Sequence, residues 1–456
     1  MFAAHDISND GRLDQGTIES ALDGLNQRFN SNSEVRKHFG VLEPRERGNL
    51  FIFVGYAIWN IAAVMSSNAQ ESYDTYRYFG LVFDVQNPGI TTTALFMAVE
   101  DHQRIIYLLT AISVVSWSLL AGAVMWRLRY TWIRWPMALL ILLFSMTTPI
   151  WSYNTVLLTE SLTVSFLVVW LATIVWVSQA EANNYWWSLS GLLVSAGFAI
   201  ITRPQLLIVI VPIQVVLLVW TARRSNAGIP SLVTGAALLP FVAFGIFRIY
   251  QLSLVQLYQF RYALNNVVDK GSSFRPYSLE NMPPCEAIPA ALNGPAPWND
   301  IHALTGTLIQ QCPETWIWFN SDAIRADKWI LADPLAAFLD FFGSMTRIEL
   351  AVMSEGRSMP DWLSNLILNI SEPWLWMLLY AILGTAFAIG LKVRPKVTVL
   401  GVIGSLTVAL TTIGYLIAMW ASDGYDINRH IYPVLPIMAV AFLVFPAVIP
   451  TRQKSE

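Results

Sequence analysis

Apolar runs close to the length of a bilayer crossing recur from residue 50 almost to the end of the chain, and no other sequence feature constrains the fold as strongly. A helix needs about 20 residues to cross a hydrocarbon core roughly 30 Å thick. The runs are Leu50–Val64, Ile105–Trp126, Trp132–Pro149, Leu162–Val177, Trp186–Thr202, Leu206–Trp220, Ile229–Phe247, Trp374–Gly390, Val397–Trp420 and Ile431–Val448. The shorter ones gain reach from flanking Trp and Tyr, which favour the interface. Composition agrees, with 55% hydrophobic and 13% charged residues and a mean hydropathy of +0.49, where a soluble chain carries about 25% charged residues. The expected fold is an all-α polytopic membrane protein of about ten transmembrane helices.

Short cytoplasmic loops retain Lys and Arg, so the basic residues orient these spans. Arg45 and Arg47 precede the first; Arg127, Arg129 and Arg134 follow the second; Arg223 and Arg224 follow the sixth. Lys392, Arg394 and Lys396 follow the eighth, and Arg452 and Lys454 close the chain. Alternating spans put all of them on one side, with both termini in the cytoplasm. The connection Ser178–Tyr185 has no positive charge and is the weakest part of that assignment. The net charge of −3, with no basic block beyond these loops, argues against a nucleic-acid partner. The first apolar run begins too far into the chain for a cleavable signal, so the first span is expected to be its own insertion signal.

The resulting organisation is a polar tail at 1–48, a transmembrane region at 49–250 containing a first outer loop at 66–104, an outer domain at 251–371, a transmembrane region at 372–450 and a tail at 451–456. In the tail, Asp6 to Asp14 begins like a calcium loop, but Thr17 stands where a bidentate Glu belongs. A flexible tail with a short amphipathic helix near Thr17–Phe29 is expected instead. Leu81 to Val85 in the first outer loop, ending at Asn87-Pro88-Gly89, suggests an amphipathic helix on the membrane surface. The two cysteines, Cys285 and Cys312, both fall in the outer domain, where an oxidising location favours a disulfide staple.

A charge near the membrane boundary is costly unless paired or wet, so its placement is informative. On the outer face the first loop carries Tyr73-Asp74-Thr75-Tyr76-Arg77. The third span leads through Pro149-Ile150-Trp151-Ser152-Tyr153-Asn154 to Leu158-Thr159-Glu160, at the head of the fourth. Arg203-Pro204 joins the fifth and sixth spans, and Asp426 to His430 precede the tenth. Each has an ordinary structural explanation. Asp74 suits a solvated loop; Thr159 and Glu160 suit an N-cap and the helix dipole; the arginines can snorkel to the interface. Trp298, Trp316, Trp318, Phe319 and Trp329 of the outer domain suit sugar faces, and most are expected to be its core.

Taken in order, Asp74-Thr75-Tyr76, the proline-led turn running to Glu160, Arg203-Pro204, and Arg429-His430 with Pro433 and Pro436 resemble the GT-C superfamily of polyprenyl-phosphate-dependent glycosyltransferases. The resemblance covers the order and spacing of most of the chain, through short and degenerate motifs, and singles out no subfamily. It implies transfer of a sugar from a lipid-linked phosphate, without a nucleotide sugar, to a lipid, glycan or protein acceptor. Asp74 then matches the family's first-loop acid and would take the acceptor proton, with Asp84 in reserve. Arg429, His430 and Arg203 would hold the donor phosphate, ahead of Arg77 and Arg104. Glu160 would bind a sugar hydroxyl or orient an arginine, with Tyr76 and Tyr153 at the sugar or acceptor. The implied partners are membrane lipid, the lipid-linked sugar donor and the acceptor. No cofactor is expected, and no motif speaks to a metal.

The main rival is a secondary transporter, but those place ionisable residues near the midplane, and here the middles of the apolar runs carry essentially none. A lipid-linked glycan polymerase or ligase is the third reading. The expected location is the bacterial inner membrane with the site facing the periplasm; the sequon Asn369-Ile370-Ser371 is compatible with an endoplasmic reticulum membrane as well.

Overall fold

The computed structural model describes residues 44–71, 75, 79, 90–127, 131–179, 185–223, 227–253, 283–286, 309–319, 334–335, 339, 341–342, 350, 352, 354–390, 399–422 and 431–448. Among them the chain is helical, and the one β-interaction is an isolated parallel bridge between Gln70 and Val156. Each of the ten apolar runs forms helix. These are α1 (Pro44–Met65), α3 (His102–Arg127), α4 (Thr131–Ser145), α6 (Thr159–Gln179), α7 (Tyr185–Thr202), α8 (Leu207–Ala222), α9 (Gly228–Ser253), α12 (Pro373–Gly390), α13 (Val399–Ser422) and α14 (Leu435–Val448). Between them lie α2 (Ile90–Val99), α5 (Thr148–Trp151), α10 (Pro313–Phe319), α11 (Asp361–Ile367) and 3-10 turns at Ser152–Asn154 and Pro204–Leu206.

Five helices are long and apolar enough to cross a membrane, namely His102–Trp126, Thr159–Ser178, Tyr185–Thr202, Pro204–Ala222 and Gly228–Gln251. A sixth span results if Arg134–Ser145 and Thr148–Asn154, bent by 53°, count as one. The remaining four runs contribute shorter apolar helices, Phe51–Met65, Pro373–Gly384, Thr407–Met419 and Leu435–Val444. The chain therefore has the makings of a membrane protein, with fewer full-length crossings among the described residues than the ten apolar runs suggest. The chain divides at Ala57, within α1, into two compact units, Met1–Ala57 and Ile58–Glu456.

Side-chain contacts reveal the direction of each helix. Thr173 of α6 meets Gly191 and Ser195 of α7, while Phe166 stacks on Phe198, so the two run antiparallel although no positive charge lies between them. Gly197 and Ile200 of α7 meet Phe241 and Gly245 of α9, which is a parallel register. Leu207, Leu218 and Thr221 of α8 meet Gly245, Gly235 and Ser231 of α9, which is antiparallel. Strict alternation follows for α6 through α9. In lipid, where apolar burial no longer drives association, close packing has to hold helices together. The helix window Thr159–Ser178 is 83% buried and Gly228–Gln251 only 22%, so α6 is the centre and α9 the rim. The Ile229, Leu232, Leu239 and Phe247 side chains exposed on α9 suit contact with lipid.

Gly384 of α12 is the tightest approach. A Cβ there would fall on the Phe442 carbonyl and lie 2.8 Å from the Leu443 carbonyl oxygen of α14, and backbone cannot rotate out of the way as a side chain can. We expect Gly384→Ala to part α12 from α14 and to cost about 1–3 kcal/mol, read as a lower melting temperature of the purified protein. An unchanged melting temperature would show that the two helices have slack.

Gln214, within α8, is fully buried, and neither side-chain polar atom has a partner among the described residues. It shares the face of Leu207, Leu218 and Thr221 that packs on α9. An unsatisfied buried amide costs about 1–3 kcal/mol. Gln214→Leu, of similar volume, should therefore leave stability unchanged or raise it; a marked drop would mean the amide makes a bond that matters.

The loop 66–104 contains an unexpected element. The surface helix anticipated at Leu81–Val85 lies outside the described residues, as do the calcium-like loop and tail helix of residues 1–43. Following it, α2 is an apolar helix with Thr92, Thr93 and Phe96 buried, and it packs on α3 and α7. In the segment 251–371 Cys285 and Cys312 are joined as a disulfide, with Cα atoms 5.9 Å apart. Beside it Thr315 donates to the Pro283 carbonyl at 3.1 Å. Trp316 and Trp318 on α10 are only half-buried, short of the core position expected of them; Trp298 and Trp329 are outside the described residues.

Candidate functional site

The proline-led turn is built as a broken helix. α4 stops at Ser145, and Thr147 carries extended backbone (φ −59°, ψ 144°) that lets α5 start afresh with Pro149 in its first turn, where a proline loses no needed N–H. The 3-10 turn Ser152–Asn154 follows, and all of Thr148 to Asn154 is buried. Val156 then forms an isolated parallel bridge with Gln70, near the start of the loop 66–104. Gln70 donates its N–H to Thr155 O at 2.9 Å and accepts from Leu157 N at 3.0 Å. Thr75, 2% exposed, donates its hydroxyl to Leu157 O at 3.1 Å. The loop 66–104 is thereby laced to the segment that feeds α6.

Glu160 stands in the first turn of α6 and is 1% exposed. Its Oε1 lies 3.4 Å from Nη1 of Arg203, itself 5% exposed, and Oε2 accepts from the Thr159 hydroxyl at 3.2 Å. Removing two charges from water costs several kcal/mol for each ion, repaid only by pairing and further hydrogen bonds. Both are present. The helix N-terminus favours the carboxylate, and the Arg203 guanidinium also hydrogen bonds the fully buried Tyr415 of α13. Arginine has no acceptor, so Tyr415 receives that bond. Arg203 is delivered by a local break: its backbone is extended (φ −145°, ψ 95°) between α7 and the Pro204–Leu206 turn. The residue before it, Thr202, meets Thr91 of α2 through their hydroxyls at 2.5 Å.

Tyr153 is fully buried and stacks on Tyr432, ring centroids 3.7 Å apart, at the start of the last helical segment. Tyr432 in turn donates to Ile150 O at 3.1 Å. Asn154 accepts from the Ser161 hydroxyl at 2.7 Å, fastening the turn to α6. Residues 354–364 lie over the same turn. Ser354 meets Thr155 at 2.7 Å, Ser358 donates to Met146 O at 2.9 Å, and Thr148 N donates to Ser364 Oγ at 2.8 Å. Gly356 sits so close to Trp151 that a Cβ would lie 2.9 Å from the indole. One end of the bundle thus gathers five distant stretches: the loop 66–104, the broken turn, the α7–α8 junction, residues 354–364 and the start of the last helical segment.

No family model, curated protein or solved structure matches this chain. Its chemistry must be read from its own residues.

Of the residues singled out in the sequence, Glu160 and Arg203 meet directly, which fits the arginine-orienting role better than contact with a sugar. Tyr153 is fully buried, with one face covered by Tyr432. Arg104 is exposed and pairs with Asp101 at 3.4 Å, on the helix start that Asp101 caps. Asp74, Tyr76, Arg77, Asp84, Arg429 and His430 lie outside the described residues. Their chain neighbours Thr75 and Ile431 are both buried, and Thr75 and Tyr432 bond into the Glu160 end. Among the described residues there is no cluster of three or more His, Cys, Asp or Glu able to hold a metal. Two site residues escaped the sequence reading. Tyr415 sits inside an apolar run with no flag beyond being a tyrosine there. Tyr432 follows the Arg429-His430 motif, but its bond to Ile150 spans 282 positions and leaves no local trace.

Proposed function

We propose that this chain is a membrane glycosyltransferase that takes a sugar from a polyprenyl phosphate and passes it, with inversion, to a lipid, glycan or protein acceptor on the non-cytoplasmic face. One observation supports the reading above the rest: four of the converging stretches carry or adjoin the motifs that resemble the GT-C pattern. A site assembled from a loop acid, a buried glutamate–arginine pair and a second arginine suits a reaction that removes one proton and creates a phosphate anion. In the proposed topology all ten apolar runs cross the membrane. The bacterial inner membrane, with this end in the periplasm, is the proposed location.

In the proposed mechanism Asp74 takes the proton of the acceptor hydroxyl or amide as it attacks the anomeric carbon. The glycosidic C–O bond to phosphate breaks through an oxocarbenium-like transition state. Charge then builds on the departing lipid phosphate, where Arg429 and His430 stabilise it. Arg203, held by Glu160, completes the cationic side of the mouth. The test is a transfer assay in membranes containing the overexpressed chain, supplied with radiolabelled lipid-linked monophosphate sugars. Labelled acceptor product dependent on the chain is the expected result. Solute uptake into proteoliposomes with no transfer product would instead establish a transporter.

A further inference from the structure

Glu160, Arg203 and Tyr415 come from α6, the α7–α8 junction and α13, and their polar groups meet nowhere in sequence. Glu160 and Arg203 are almost wholly removed from solvent and Tyr415 entirely so. A guanidinium is planar, with donors in a fixed fork. Once Glu160 takes one edge and the Tyr415 hydroxyl another, the plane can no longer swivel. The surroundings tighten this further. Thr159 bonds the far oxygen of Glu160, Thr202 is tied to α2 through Thr91, and Arg203 N donates to Ala199 O at 2.9 Å. A carboxylate spent on neutralising a buried arginine has little left for a substrate hydroxyl. An arginine so compensated contributes direction more than charge.

We infer that Glu160 and Tyr415 are positioning residues that clamp the Arg203 guanidinium in one orientation toward the lipid phosphate of the donor. The inference rests on the transferase reading and deepens it, assigning a function to a tyrosine inside an apolar run. Tyr415→Phe is the sharpest probe because it deletes a single oxygen and keeps the ring that fills the space. A misaimed donor still binds but no longer meets the charge where it develops. Tyr415→Phe should therefore melt within a few degrees of wild type, lower kcat by about tenfold or more and change the donor KM little.

The assay uses full-length protein in lipid nanodiscs with a radiolabelled polyprenyl monophosphate sugar. A second variant guards against misfolding. The double substitution Glu160→Gln with Arg203→Met removes the pair without leaving a lone charge, so it should melt close to wild type yet transfer poorly. Wild-type transfer with an unchanged kcat in Tyr415→Phe overturns the clamp while leaving the transferase reading intact. So does a double variant that both folds and transfers like wild type, since the pair would then serve the fold alone. Absence of transfer by wild type overturns the transferase reading and the clamp with it.

Discussion

Glu160→Gln is expected to destabilise the protein by about 3–5 kcal/mol, because it leaves the Arg203 guanidinium buried without its carboxylate. The effect should exceed that of Arg203→Met. A carboxyl stranded by the loss of its arginine can shed its charge by taking up a proton, whereas a guanidinium cannot release one. Glutamine keeps a carbonyl that can accept one bond from Arg203, but it supplies no charge and no longer complements the N-terminus of α6. Melting of the detergent-solubilised protein, followed by tryptophan fluorescence, measures the difference. Equal melting of wild type and Glu160→Gln would mean that water reaches the pair and that its burial does not matter. Removal of Glu160 should also loosen the α7–α8 junction, since Arg203 is where the chain is extended between two helices.

The other large effect is expected from Asp74→Asn. Asparagine matches aspartate in size and can accept a hydrogen bond, but it cannot hold the proton that the acceptor must lose. General-base assistance is worth about 10²–10⁴ in rate, so kcat should fall by that factor while melting stays as in wild type. Steady-state transfer measured beside a melting curve separates the two. Undiminished transfer would remove Asp74 as the base, and Asp84→Asn would then be the variant expected to fail. A loss of both transfer and stability would point to a structural part for the first loop, which Thr75 and Gln70 already stitch to residues 155–157.

Helices α3, α4, α6, α7, α8, α12 and α13 begin and end within a few residues of the apolar runs read from the sequence. That agreement has a simple origin. A backbone leaving water must bond to itself, and an uninterrupted apolar run permits only one way of doing so. The pairing of Cys285 with Cys312 was equally legible, because two cysteines in one outer segment leave a single partner choice. The apolar α2 was missed: at ten residues it is too short to register as a span.

The site was legible only as scattered motifs. Glu160 and Arg203 are separately explained by a helix dipole and by snorkelling, and neither explanation predicts a partner 43 positions away. Gly384 looks like any glycine in an apolar run until the Phe442 and Leu443 carbonyls arrive beside it. Tyr153 reads as a possible sugar-facing ring until Tyr432 covers it. The sequence by itself determined where helices form and that charge is confined to their ends, because hydrogen bonding and the cost of burying charge are properties of short stretches. Only the tertiary structure decided which ends meet. That choice depends on packing between helices far apart in the chain, and it turned an isolated glutamate, arginine and tyrosine into one buried unit.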